Sequence, residues 1–348
     1  MELPKKYASS TDVARLANVS QSAVSRTFKG GRVSEATRQK VLDAARTLNY
    51  RPSALPQIML TQQSRLVAIV IGGMYNPFYA NVLEVFSRRL QDTGHQALLF
   101  HVDSGYTFDA AIPLLAGYRV DAIVSALSVL SEEAAEELAT FNIPVVAFNT
   151  AVSGDQIASV RCNNVQAAAR LADLFIEHGA RRFGYISGPI DSPANNERRT
   201  GYVNRLAQRG FNEVLCNSAG LDFTYEAGYA GVRELFSRDE HPDALFCAND
   251  LIAFGAIDAL RSEFGIRCPE DVLVAGFDNV PAAGWKGYDL TSFVQDAESM
   301  VDATLDIIGD RSSGKLKDMS CVIEARLVER STTDASRFRQ HSRERSSI

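Results

Sequence analysis

Two short capped helices joined by a tight turn can be read from residues 9–26, and no other stretch of this 348-residue chain limits its fold as sharply. Ser9 stands three residues before Asp12, the spacing of a capping box, and Val13, Leu16 and Ala17 recur at helical spacing as one apolar face. Asn18 tolerates the left-handed backbone that ends a helix, and Ser20 then caps a second one. The pattern is a helix-turn-helix. On its second helix Ala23, Val24 and Phe28 are expected inside, which leaves Gln21, Ser22, Ser25 and Arg26 outside. Gln and Arg carry the paired donors that suit adenine and guanine edges in the major groove, so these four residues read as a DNA-facing set. A solvated polar face on an ordinary helical bundle is the competing reading. A third helix is expected from Glu35 to about Leu48, with Val41, Leu42, Ala45 and Leu48 on one side and Asn49 as its stop.

Charge separates this head from the rest. The first 60 residues hold ten Lys/Arg against four Asp/Glu, a net of +6, so the remainder carries −12 of the chain's total of −6. An acidic protein with a basic first sixth fits a nucleic-acid-binding head on a body with another task, and Lys5, Lys6, Arg15, Lys29, Arg32, Arg38 and Arg51 supply phosphate neutralisation. The N-terminus has no apolar leader, and no run approaches the ~18 apolar residues of a membrane span, which predicts a cytoplasmic protein without membrane contact. Cys162, Cys216, Cys247, Cys268 and Cys321 are odd in number and embedded in apolar runs, so free buried thiols are expected in place of disulfides or a zinc site.

From Leu66 onward short apolar runs alternate with amphipathic helices: Leu66–Ile71, Ala97–Val102, Val120–Ala126, Pro144–Phe148, Phe183–Ser187, Ala244–Ala248 and Val272–Phe277. Such an α/β pattern predicts parallel sheets covered on both faces. A break in phase near Val160–Asn164, ahead of a helix over Val165–His178, divides the array into two similar lobes with later segments crossing between them. No Gly-x-Gly-x-x-Gly follows the first strand and no phosphate-binding Gly-Lys-Ser/Thr loop occurs, so neither a dinucleotide nor a nucleoside triphosphate cofactor is expected.

Head and body together resemble the lactose-repressor and galactose-repressor family of bacterial transcriptional regulators over about residues 9–333. The resemblance is carried by Asp12-Val13-Ala14 with Val19-Ser20 and Val24-Ser25-Arg26, by Val33-Ser34 with Thr37-Arg38, and by Asn49-Tyr50-Arg51-Pro52. In the body it is carried by Asn76-Pro77-Phe78, Gly184-Tyr185-Ile186-Ser187-Gly188-Pro189, Asn249-Asp250 and Gly276-Phe277-Asp278. It implies an all-α head over residues 1–50, a hinge over 51–64, and a two-lobed periplasmic-binding-protein-like body over 65–330. Lobe 1 would hold about 65–163 and 293–320, lobe 2 about 164–292 and 321–330. It further implies a homodimer, with a tetramer as an alternative, on double-stranded operator DNA, and a small-molecule effector between the lobes. Gln21, Ser22 and Arg26 fall where the family reads bases, and Met59 stands where an apolar hinge residue wedges between base pairs.

Three departures from the family pattern stand out. Pro56 and Gln57 occupy hinge positions where Ala and Arg are common, the loop Lys29-Gly30-Gly31-Arg32 is short, and Asn163 stands where Asp is usual. For the effector, the resemblance carries over Asn76, Phe78, Asn149, Arg198, Phe223, Asn249, Asp278 and Gln295. These supply one charged pair, amides that donate and accept, and aromatic faces, a set suited to a polar metabolite such as a sugar. Asn149 and Asn163 could equally be helix or strand-end caps, and Trp285 either lines the pocket or packs in the body.

The function these readings support is a DNA-binding transcriptional regulator, a repressor, switched by a small polar metabolite, with no enzymatic activity and no cofactor. The alternative is a hydrolase or kinase on the two-lobed body, against which His95, His101, His178, His241 and His341 follow no catalytic or metal-ligand pattern. A secreted solute-binding protein is disfavoured by the basic head. The Ser- and Arg-rich tail from Ser331 is expected to be disordered.

Overall fold

The computed structural model describes residues 8–52, 63–102, 108–127, 140, 143–150, 157–217, 222–238, 240–312 and 320–338. The chain divides into two compact units, Met1–Gln63 and Ser64–Ile348. The hinge residues Pro56, Gln57 and Met59 lie outside the described residues.

The first unit contains three helices, α1 (Ser10–Ala17), α2 (Gln21–Phe28) and α3 (Glu35–Thr47). Each begins with a serine, Ser9, Ser20 or Ser34, whose hydroxyl accepts an otherwise unpaired backbone N–H of the first turn, and Asp12 completes the capping box at α1. Asn18 (φ 50°) ends α1 and Asn49 (φ 47°) follows α3, both left-handed, as the sequence suggests. Val13, Val24 and Val41 are fully buried at the centre, and Phe28 meets Tyr50 edge to face at 5.6 Å. Leu16 departs from expectation at 52% exposed. With about 100° per residue, the buried Val13, Ala14 and Ala17 span a narrow arc of α1, and Leu16 falls outside it.

In the second unit β1 (Leu66–Ile71), β2 (Gln96–His101), β3 (Ala122–Ser125), β4 (Val145–Phe148) and β5 (Ala158–Cys162) form a parallel sheet. The apolar run of β1 is explained by two-sided burial. Val67 and Ile69 pack with Phe78, Val82 and Phe86 on one face, while Ala68 and Val70 pack with Ile112 and Leu115 on the other.

The chain then enters the helix Asn164–His178 and builds a second parallel sheet from β6 (Phe183–Ile186), β7 (Val214–Cys216), β8 (Ala244–Cys247) and β9 (Leu273–Ala275), in the order β7-β6-β8-β9. Beside this sheet the helices Tyr225–Phe236 and Asp250–Glu263 touch through glycines. A Cβ on Gly255 would sit 1.9 Å from the Tyr225 carbonyl oxygen, and one on Gly228 1.9 Å from that of Ile252.

Two connections between the lobes run back and forth through β10 (Ser292–Val294), the helix Ala297–Ser312, β11 (Ser320–Ile323) and β12 (Arg326–Val328). β11 pairs with β5 and closes one edge of the first sheet, whose order is β11-β5-β4-β3-β1-β2. Cys321–Ile323 therefore belongs to lobe 1, not to lobe 2 as the sequence division has it; a four-residue strand of alternating burial does not announce which sheet it joins. β12 pairs antiparallel with β10.

The chain beyond Arg330 also corrects expectation, because residues 331–338 are packed. Thr332 and Thr333 are buried, the Thr332 hydroxyl accepts the Thr291 N–H at 2.8 Å, Arg337 Nε donates to Glu270 at 3.1 Å, and Phe338 is 4% exposed. Low hydrophobicity hid this, since Thr hydroxyls take up backbone groups that apolar residues would leave bare. The five cysteines are free thiols, with Cys162 and Cys247 buried. Among the described residues no helix is long and apolar enough to cross a membrane.

Candidate functional site

On the head, Gln21, Ser22, Ser25 and Arg26 are exposed along one side of α2, and Arg32 is exposed beyond its end, while Ala23, Val24 and Thr27 are buried. Arg26 folds back to donate to the Ser22 carbonyl (3.3 Å), and Gln21 donates to the Ser10 hydroxyl (2.9 Å). These are solvent-facing bonds between flexible side chains, which a base edge can replace at small cost. No acidic side chain occupies the first turn of α2, so nothing there opposes a phosphate.

In the body, seven of the eight effector candidates, Asn76, Phe78, Asn149, Arg198, Phe223, Asn249 and Asp278, line one cavity of about 280 Å³. They reach it by a common device: Asn76, Asn149, Asn249 and Asp278 each follow the last residues of a parallel strand, where open α/β sheets bind ligands. Asn76 and Asn249 are also the N-caps of the next helix, accepting the N–H of Phe78 (3.0 Å) and Ile252 (3.0 Å) through Oδ1. Capping and cleft roles coexist, because the cap uses the oxygen and leaves the amide NH2 for the cavity. Asn163 differs: its side chain caps the helix Asn164–His178 and bonds Gln166, outside this cavity.

Arg198 and Asp278 are the buried charged pair, 2% and 6% exposed. The guanidinium donates to Asn164 Oδ1 (2.9 Å) and to the Ala248 carbonyl (2.7 Å), lies 3.7 Å over the Phe277 ring, and approaches Asp278 at 3.8 Å. Asp278 accepts from Asn76 (2.8 Å) and from Gln295 (2.6 Å). Burial pushes its carboxyl upward from the ordinary value, opposed by the Arg198 charge and by those two amides. Gln295, the eighth candidate, thus acts on the cavity through Asp278 and does not line it. Asp278 itself is held at φ 108°, a strained conformation for a non-glycine residue. Its loop is fixed by the Asp278 N–H donating to the Phe293 carbonyl (2.9 Å) and the Val280 N–H donating to Asp250 (2.8 Å).

Sequence reasoning missed the rim. Tyr75 of lobe 1 donates its hydroxyl to Asp222 of lobe 2, its ring lying over Gly73, and Asp191 also lines the cavity. Only adjacency could have flagged Tyr75, which precedes Asn76, and Asp222, which precedes Phe223; Asp191 carries no such signal. Trp285, expected in the pocket or the core, is in neither: it is 63% exposed and off the cavity wall. A larger surface groove of about 540 Å³ runs between the helices Asn164–His178 and Pro193–Gln208. On its wall Asp173 pairs with Arg205 (2.8 Å) and also with the neighbouring Arg209 (3.5 Å).

Residues 11–53 match the family described as bacterial regulatory proteins, lacI family, and residues 172–333 match the periplasmic binding protein-like domain. Catabolite control protein A of Priestia megaterium is 32% identical over 291 residues, 82% of this chain and 86% of its own. The HTH-type transcriptional regulator CelR of Thermobifida fusca is 32% identical over 329 residues, 91% of this chain and 96% of its own. Among solved structures, a transcriptional regulator CelR–cellobiose complex is 30% identical with a TM-score of 0.70, covering 93% of this chain and 99% of that one. A lac repressor dimer bound to operator and the anti-inducer ONPF shares the fold at a TM-score of 0.83 and 22% identity, covering 94% of this chain and 99% of that one.

Proposed function

The chain belongs to the lacI family of bacterial regulatory proteins, a DNA-binding transcriptional regulator switched by an effector, and from that premise we propose how its residues divide the work. A homodimer, with a tetramer as the alternative, places two heads on a pseudo-palindromic operator. Gln21, Ser22, Ser25 and Arg26 read bases and Arg32 contacts the backbone, while Met59 wedges into the minor groove. The protein works in the cytoplasm as a repressor. A polar metabolite binds between the lobes at Asn76, Phe78, Asn149, Arg198, Phe223, Asn249 and Asp278, with Gln295 supporting Asp278.

One observation carries this reading: polar side chains from both lobes converge on one cavity at the strand ends, and Asn76 bonds Asp278 across it. A ligand there is held by two bodies at once, so it stabilises one lobe arrangement over another. Binding without catalysis is supported by the relatives, which are named as regulators. The test is DNA binding by fluorescence anisotropy against selected operator and random duplex. Specific retention by a dimer supports the reading, and equal affinity for both duplexes rejects it.

A further inference from the structure

The charges and unmet hydrogen bonds of the cleft restrict what it can hold. Among the described residues its wall carries three carboxylates, Asp191, Asp222 and Asp278, against one cation, Arg198. That cation is partly committed, with Nε on Asn164 and one terminal nitrogen on the Ala248 carbonyl, and its charge faces Asp278 at 3.8 Å. A ligand phosphate or carboxylate would therefore meet two further carboxylates, with no second cation among the described wall residues to offset them.

The hydrogen-bond inventory points the same way. Asn149 is 91% buried and its side-chain oxygen has no partner among the described residues, although the residue lines the cavity. A buried acceptor left bare is costly, and it is satisfied by a ligand that donates. Hydroxyl groups donate and accept, whereas a phosphate dianion only accepts. Aromatic faces are present too, since Phe78 and Phe223 line the same wall.

We infer that the cleft selects an uncharged, hydroxyl-rich ligand and rejects its phosphorylated and carboxylated counterparts, with Asp191 and Asp222 enforcing the rejection at the rim. The inference rests on the effector reading above and narrows it.

The test uses the full-length protein and a paired panel by titration calorimetry: cellobiose, glucose and ribose against glucose 6-phosphate, ribose 5-phosphate and glucuronate, with an amine, glucosamine, alongside. The expected result is that at least one neutral sugar binds and its anionic counterpart binds about tenfold more weakly or worse. In the double variant Asp191→Asn/Asp222→Asn that gap should narrow, and Asn149→Leu should weaken the neutral sugar itself. An anionic member binding as well as its neutral partner overturns the inference, as does glucosamine binding where no neutral sugar does, or no neutral sugar binding at all. A neutral sugar that binds yet leaves operator affinity unchanged refutes the effector reading and leaves the charge selection standing.

Discussion

Asn76 and Asp278 lie 202 residues apart in the chain and 2.8 Å apart in space, and their hydrogen bond ties the end of β1 in lobe 1 to the loop after β9 in lobe 2. The same Asn76 caps a lobe 1 helix, while Asp278 faces Arg198 of lobe 2, so a group placed between them senses both lobes. Asp278→Asn keeps the shape and removes the charge. It should reduce ligand response by tenfold or more while operator affinity without ligand stays within about threefold, measured by anisotropy. Arg198→Lys should act similarly, because an ammonium cannot serve Asn164, the Ala248 carbonyl and the Phe277 face together.

For base reading, Arg26→Ala should relax sequence preference at one base pair per half-site and cost about 1–3 kcal/mol there. Arg32→Ala should weaken specific and random DNA alike and reduce the salt dependence. Competition binding on operator variants separates the two, and equal losses on both duplexes for Arg26→Ala would reassign it to phosphate contact.

Packing makes a sharper claim. Gly255→Ala would bring a Cβ to 1.9 Å from the Tyr225 carbonyl oxygen, so the helices Tyr225–Phe236 and Asp250–Glu263 would have to part. Urea unfolding should show a loss of about 2 kcal/mol or more. Gly287→Ala, where a Cβ meets nothing within 4 Å, is the control and should change little.

Asp250 gives a pH dependence. It is fully buried, accepts from the Ser292 hydroxyl (2.5 Å) and the Val280 N–H (2.8 Å), and burial raises its carboxyl well above the ordinary value. A carboxyl raised on folding binds its proton more tightly in the native state. Its contribution to stability is therefore greatest below the ordinary value of 3.8 and declines as pH rises through the window up to the raised value. Asp250→Asn removes that titration, so the stability of wild type relative to the variant should fall with rising pH above 3.8 in urea melts. A difference independent of pH would contradict the raised value.

The carboxyl-terminal segment yields a truncation series. Stopping after Phe338 keeps every described contact of the segment and is the reference. Stopping at Arg330 deletes Thr332, which accepts the Thr291 N–H, and buried Phe338, and should cost several kcal/mol, about 3 from the Phe alone. Thermal unfolding of the two truncations decides it.

What could be read in advance followed from local chemistry. The serine caps and the two asparagine stops of the head depend on residues a few positions apart, and the apolar run of β1 needs two covered faces whatever covers them. Asn76 and Asn249 were visible for the same reason, because an Asn before a helix caps it through its oxygen and keeps its NH2 for a second partner. Long-range facts were hidden. Nothing in Gln295 says that it would support Asp278 and not meet the cavity, and nothing in Asp222 names Tyr75 as its partner. Leu16 failed because a short helix between two neighbours buries a narrower arc than apolar spacing suggests, and residues 331–338 failed because their packing is made by threonine hydroxyls and one Phe.

A ligand in the cleft and DNA on the head should be thermodynamically coupled. Operator affinity of the full-length protein, measured with and without a saturating sugar found to bind the cleft, tests it directly. A large change is expected, with about 2.7 kcal/mol corresponding to a hundredfold, and the same factor in sugar affinity with and without operator. An operator affinity that stays the same while calorimetry shows the cleft fully occupied would contradict it.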